Sequence, residues 1–312
     1  MIIVAYMGGL GNQMFIYAMQ TLLEEIYPDQ EIKADIHHYN LLNEHNGFEL
    51  TKYFDVNLNY AELKESRQLF DGQLFPDFFS QLMISKKTRW IIASKGQSLY
   101  MRVKMRLSKT SRTIRDLPGM GLNTQIYDLK EGDWFLYGLW QNIDYYKNYK
   151  DLIRKKLSFK VTLTNENDMN ILEKLKSGEL IAIHIRGGDF RQPKYQICDT
   201  DYYKKACSFY GKNPRLCVFT DDEEYAREII PSFQIDYVVS HGINQSVLDM
   251  YMMSRARKVI ISNSTFAFWS GFLSPYSDCS IVAPYYSYYE NEKYVTFPQI
   301  DGWHYIKNGS HE

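Results

Sequence analysis

Short apolar runs alternate with amphipathic stretches along most of this chain. Residues 2–6 (IIVAY) are apolar and run into glycines, which predicts a buried strand and a tight turn. From Asn12 onward Met14, Ala18 and Leu22 recur at helical spacing, so the chain opens strand, glycine turn, helix. The C-terminal half repeats this alternation. Strands are predicted at 181–185 (IAIHI), 216–220 (LCVFT), 235–239 (IDYVV), 258–262 (KVIIS) and 280–284 (SIVAP). Between them fall predicted helices in DDEEYAREII, in 245–256 (QSVLDMYMMSRA, with Val247, Leu248, Met252 and Met253 at helical spacing) and from about Ser264. Apolar strands alternating with helices predict an α/β fold, a parallel sheet covered on both faces.

The 312 residues suffice for two domains. The charged, polar segment KNYKDLIRKKLSFKVTLTNEN marks a boundary near 150–165. The expected division is residues 1–155 and 156–312, and the last residues could pack back on the first domain. Net charge is −1, which gives no basic field for nucleic acid. No apolar stretch approaches a spanning helix, and the MIIVAYMGGLGNQ start has no secretory-signal pattern. Cys198, Cys207, Cys217 and Cys279 match no zinc spacing and read as reduced thiols of a cytoplasmic protein. The 26 tyrosines suit surfaces that meet sugars or rings, or reflect compositional bias.

Residues 86–115 carry ten Lys or Arg and no acid, interleaved with Trp90, Ile91, Ile92, Leu99 and other large apolar residues. Such a stretch can lie on an anionic membrane surface or form a helix pair with a basic outer face.

Four segments carry candidate chemistry. Gly8-Gly9-Leu10-Gly11-Asn12-Gln13 joins a strand to a helix, where glycines admit a ligand to the backbone and the helix start favours negative charge. It is neither GxGxxG nor a P-loop. Asn12 and Gln13 could bond sugar hydroxyls or a phosphate, or Asn12 could simply cap the helix. In His184-Ile185-Arg186-Gly187-Gly188-Asp189-Phe190 an Arg follows a strand beside a Gly-Gly turn. Ligands of open α/β sheets bind at that end, and the guanidinium fork suits a diphosphate. Alternatively Arg186 pairs with Asp189. Asn263, Ser264 and Thr265 follow another strand and could form an anion site or a plain helix cap. Asp221 and Asp222 invite a metal, but Glu223 and Glu224 extend the acids into a helix start, which favours a structural cap.

Together these segments resemble the bacterial α-1,2-fucosyltransferases of glycosyltransferase family 11. The resemblance rests on GGLGNQMFIYA (8–18), YGLWQNIDYY (137–146), HIRGGDF (184–190) with VFTDD (218–222) behind it, and ISNSTFAFWSGFL (261–273). It implies a GT-B architecture, two Rossmann-like domains facing each other across a cleft. It implies inverting, metal-independent transfer of L-fucose from GDP-L-fucose to the 2-hydroxyl of a terminal β-galactoside, in O-antigen or capsule synthesis. No cofactor is implied beyond GDP-L-fucose as co-substrate, and no metal. The acceptor could be lipid-linked, with the protein peripheral to the inner membrane face through 86–115.

The resemblance also implies site roles. Arg186 would bind the donor β-phosphate, with His184 near the nucleotide and Asp249 on guanine. Asn263, Ser264 and Thr265 would hold phosphate oxygens, and Gly9 and Gly11 would line the donor side. Asn12, Gln13, Trp140 and Gln141 would meet the acceptor, Asn12 also joining Arg186 and Asp189 in catalysis. Asp189, Asp35 or a histidine beside Asp35 (His37, His38 or His45) could take the acceptor proton. Relatives usually carry a second Arg where Gly187 stands, so one donor-side cation is missing. That departure leaves two alternatives: another GDP-sugar or linkage, or a non-catalytic binder on the same fold.

Overall fold

The computed structural model describes residues 1–41, 46–69, 112–116, 121–242, 244–290 and 292–309. The chain forms two compact units. The first comprises Met1–Glu49, Asn57–Trp140 and Asp144–Tyr146; the second comprises Leu50–Val56, Gln141–Ile143 and Lys147–Glu312. Residues 50–56, 141–143 and 147–155 thus sit in the second unit, although all lie before the expected division after 155.

The first unit holds a four-stranded sheet: β1 (Ile2–Ala5), β2 (Ile32–Asp35), β3 (Thr113–Asp116) and β4 (Trp134–Gly138), ordered β2-β1-β4-β3. Every pairing is parallel. The 17-residue α1 (Leu10–Ile26) returns the chain, with residues 13–23 buried almost all round. The short α2 (His37–Leu41) follows β2; α3 (Leu50–Tyr53) belongs to the second unit and α4 (Leu63–Leu69) to the first.

The second unit is built on six parallel strands ordered β12-β9-β8-β5-β6-β7. These are β5 (Ile181–Ile185), β6 (Leu216–Thr220), β7 (Ile235–Val239), β8 (Lys258–Ile260), β9 (Ser280–Pro284) and β12 (His304–Ile306). The helices are α5 (Lys150–Lys156), α6 (Glu166–Ser177), α7 (Thr200–Phe209), α8 (Glu223–Ile229), α9 (Ser246–Ser254) and α10 (Thr265–Phe272). An antiparallel hairpin, β10 (Tyr286–Glu290) with β11 (Lys293–Thr296), follows β9. All five residues of β5 and of β6 are buried, which is why their sequences run apolar without alternation. Ile181, Ile183, Ile185 and Val218 pack with Tyr202, Tyr203, Ala206 and Tyr225 from α7 and α8. Truncating one of these isoleucines to Ala would cost about 2–5 kcal/mol.

The α/β fold with parallel sheets is therefore as expected, and each unit is Rossmann-like. One expectation needs correction. Most of the basic segment 86–115 lies outside the described residues, but its end, Thr113–Asp116, is β3, a strand paired with β4. Ile114 is buried and Arg115 half-buried there, so these residues are not the face of a surface helix. At the described end of the chain β12 hydrogen-bonds to β9 and buries Ile306 in the second unit's core.

The four cysteines are free. Burial pushes the Cys207 thiol up to about 12, which makes it inert. Among the described residues no helix is long and apolar enough to cross a membrane.

Candidate functional site

In parallel sheets the carboxyl ends of all strands share one edge, and the candidate residues of each unit collect there. In the second unit, β5 and β6 pair in a register that sets Ile185 opposite Thr220. The next residues out, Arg186 and Asp221, therefore meet. Arg186 Nη1 lies 2.6 Å from Asp221 Oδ2, and the Gly187 N–H donates to Asp221 Oδ1 at 2.8 Å. One carboxylate thus holds both the guanidinium and the adjacent amide. Arg186 thus has an ion-pair partner in Asp221. Asp189 lies in the 3-10 turn Gly188–Arg191, and its side chain is outside the described residues. The Arg186 side chain keeps about a third of its surface in solvent, 33%. A ligand can reach it.

Gly187 is explained by its neighbour. A Cβ added there would sit 2.4 Å from Asp222 Cβ, so the site has no room for an arginine. Asp222 itself caps α8, accepting the Tyr225 N–H at 3.0 Å. That is the structural role read for this acid. A second cation arrives by another route: Arg191 reaches Asp222 at 3.3 Å and lies over the Tyr225 ring.

His184 is buried, with Nδ1 2.8 Å from Ser262 Oγ. Burial, with Arg186 nearby, pushes its pKa down to about 3, so the imidazole is neutral. The Asn263 side-chain NH2 donates to the Tyr195 and Ser287 carbonyls at 2.9 and 2.7 Å. Asn263 therefore ties the loop at Tyr195 to strand β10. Ser264 caps α10 by accepting the Phe266 N–H, and Thr265 beside it is partly exposed.

Asp249, in the first turn of α9, is buried and bonded to His241 Nδ1 at 2.5 Å. The Nε2 of His241 meets Asp168 of α6 at 3.0 Å. The two acids, Asp249 foremost, hold the His241 pKa up at about 9. This clasp is not legible in the sequence, because Asp168 lies 73 residues before His241 and no local motif joins His241 to Asp249.

In the first unit Gly8 takes φ +73, and an added Cβ would meet Asn12 Nδ2 at 2.5 Å. The Asn12 side chain thus lies over the glycine turn. Asn12 is not the helix cap: Gly9 is, with no side-chain cap bond, and Asn12 and Gly11 sit in the first turn of α1. Gln13 does not face outward. It is 0% exposed; its Nε2 donates to the Gly8 and Gly47 carbonyls and its Oε1 accepts the Glu49 N–H. Its amide orders the loop at 47–49, which replaces the acceptor contact expected of it.

Trp140 is likewise fully buried, packed on Tyr145, with φ +54 and an indole N–H lacking a partner among the described residues. Buried among aromatics, it offers no ring face to an acceptor. Gln141 beside it is partly exposed. Two further groups line this edge. Asp116 accepts the Tyr145 hydroxyl at 2.7 Å, and burial pushes its pKa up. Asp35 lies 2.7 Å from His37 Nδ1. His38 is described and packs on Tyr39, whereas His45 is outside the described residues. Among the described residues no group of three or more His, Cys, Asp or Glu could hold a metal ion.

Known proteins resemble this chain over nearly its full length. An α-1,2-colitosyltransferase of Escherichia coli is 25% identical over 308 residues, 95% of each chain. The O-antigen biosynthesis glycosyltransferase WbnK of Escherichia coli is 25% identical over 299 residues, 89% of this chain and 91% of that one. Among solved structures, NodZ α-1,6-fucosyltransferase of Bradyrhizobium, co-crystallised with GDP, is 16% identical over 88% of this chain and 92% of its own, with a TM-score of 0.46. The family profile described as Glycosyl transferase family 11 matches residues 1–307. The chain belongs to glycosyl transferase family 11, and it is a glycosyltransferase.

Proposed function

We propose that this enzyme transfers L-fucose from GDP-L-fucose to the 2-hydroxyl of a terminal β-galactoside, with inversion and without a metal, in surface-glycan synthesis. The observation that carries this reading is Arg186, held by Asp221 beside the Gly187–Gly188 turn at the carboxyl edge of the second sheet in a family 11 chain. An accessible, always-charged fork next to a glycine turn suits a diphosphate. As the glycosidic carbon–oxygen bond opens, negative charge grows on the β-phosphate, and Arg186 with the 264–265 edge of α10 stabilises it. His184, held neutral on Ser262, faces the nucleotide as a hydrogen-bonding group rather than a second cation. Asp249 accepts from guanine and Asn263 positions the segments around it. Gly9, Gly11 and Asn12 receive donor sugar and acceptor, with Gln141 on the acceptor.

A second donor has a specific observation in its favour. The relative that is 25% identical over 95% of both chains is an α-1,2-colitosyltransferase. Colitose is fucose without its 3-hydroxyl, so GDP-colitose is the alternative co-substrate. The test presents both donors with a panel of β-galactosides in EDTA and measures GDP release and product linkage. Product at the galactose 2-hydroxyl from GDP-L-fucose supports the first reading, and preference for GDP-colitose the second. No transfer from either donor contradicts both. The acceptor is lipid-linked in this reading and the enzyme meets the inner membrane face through the basic segment before β3, 86–112. Binding to anionic vesicles at low salt is then expected, and its absence contradicts the membrane contact.

A further inference from the structure

We propose that His37 is the general base that takes the acceptor proton, with Asp35 as its positioning residue; this rests on the transferase reading above. Asp35 Oδ1 accepts the His37 main-chain N–H at 2.9 Å and lies 2.7 Å from His37 Nδ1. A carboxylate only accepts, so the neutral imidazole carries its hydrogen on Nδ1 and presents the lone pair on Nε2. That nitrogen has no hydrogen-bond partner among the described residues. The carboxylate is shielded, at 12% exposure, while the imidazole reaches solvent at 24%. The arrangement is that of an oriented base: a shielded acid fixes the tautomer and the outward nitrogen is open to a hydroxyl.

The dyad is also fixed against the glycine turn. Asp35 pairs with Ala5 across the parallel β1–β2 register, and the Tyr6 N–H donates to the Asp35 carbonyl at 2.8 Å. The Tyr39 hydroxyl, from the same short helix as His37, donates to the Gly8 carbonyl at 2.7 Å. His37 is thereby held to the segment that carries Asn12. The acceptor O–H proton passes to His37 Nε2 as the acceptor oxygen bonds to the anomeric carbon. The bond from that carbon to the β-phosphate oxygen breaks, and its electron pair leaves with GDP. Asp35 stabilises the imidazolium, which returns its proton to solvent.

The experiment measures transfer by wild type, H37A, H37Q and D35N with the donor that wild type uses, alongside donor binding and circular dichroism. H37A and H37Q are expected to lose about 10²- to 10⁴-fold in kcat. Their donor affinity should stay within twofold of wild type, and added imidazole should restore part of the H37A rate. D35N is expected to lower kcat with KM unchanged and to shift the ¹⁵N signals of His37 away from the Nδ1–H tautomer. Should H37A not fold, H37Q carries the same criterion. Folded His37 variants within threefold of wild-type kcat, or a loss confined to donor affinity, would overturn the proposal while the transferase reading stands. An inactive wild type would overturn both.

Discussion

The carboxyl edges of the two sheets hold their polar groups in different ways. In the second unit nearly every candidate is tied to a partner inside the protein. Arg186 is on Asp221, His184 on Ser262, Asn263 on two carbonyls, and Asp249 on His241 and through it Asp168. In the first unit the tied groups are Gln13 and Asp116, whereas the His37 ring reaches solvent from a shielded carboxylate. The difference matches the tasks proposed. A preorganised anion site works because its dipoles and charges need no rearrangement as charge develops. A base must instead keep one nitrogen open for a proton. In the proposed roles, rigidity goes with the donor edge and an open lone pair with the acceptor edge.

Removing the central cation should break this contrast most sharply. R186A is expected to lower kcat/KM by about 10²- to 10³-fold, as loss of a preorganised donor to developing charge does. R186K should recover little, because an ammonium cannot span both Asp221 and a phosphate with one planar fork. Steady-state kinetics check both. Crowding the Gly187 site comes next. G187A sets a Cβ against Asp222, so the backbone must move, at a cost of about 1–3 kcal/mol in stability. Donor affinity measured by calorimetry should fall by roughly tenfold, and unchanged affinity would mean that the turn does not meet the donor.

Gln13 probes the other edge. Q13A removes the buried hydrogen bonds to the Glu49 N–H and to the Gly8 and Gly47 carbonyls and should cost about 1–3 kcal/mol in chemical denaturation. Donor affinity should be unchanged, and a parallel loss of it would blur the division of labour. The smallest effect concerns His241. Its folded pKa of about 9 lies above the ordinary 6.5, so the clasp stabilises fully below about 6.5 and loses its contribution as pH rises through 9. H241Q should therefore be less stable than wild type by about 1–2 kcal/mol near pH 6, with the gap closing near pH 9.5. A gap independent of pH would mean that the imidazolium is not held by Asp249 and Asp168.

What the sequence revealed follows from how its strands are buried. The strands at 181–185, 216–220, 235–239 and 280–284 stand where their sequences place them, and all but 235–239 have nearly every residue buried. The run at 258–262 is shortened to Lys258–Ile260, because Ser262 turns to His184. β2, β3, β4, β10, β11 and β12 went unread. They are three to five residues long, and β2 and β3 alternate buried with half-exposed positions over four residues, too few to establish a period. The same limit applies to chemistry. Motifs within one loop, such as His184–Gly188, are legible because their members are neighbours. The Arg186–Asp221 clasp depends on strand register, and the His241 clasp on three separate elements. Gln13 and Trp140 show the opposite error: amide and indole suggest ligand contact, yet both are buried in the structural framework.

The most direct test is metal-free transfer by wild type and R186A, with product linkage determined. With GDP-L-fucose and β-galactosides in EDTA, wild type should release GDP in step with product linked at the galactose 2-hydroxyl, and R186A should lose at least a hundredfold. Near-normal turnover by R186A, or a wild type that needs an added metal, would contradict the assignment of diphosphate stabilisation to Arg186.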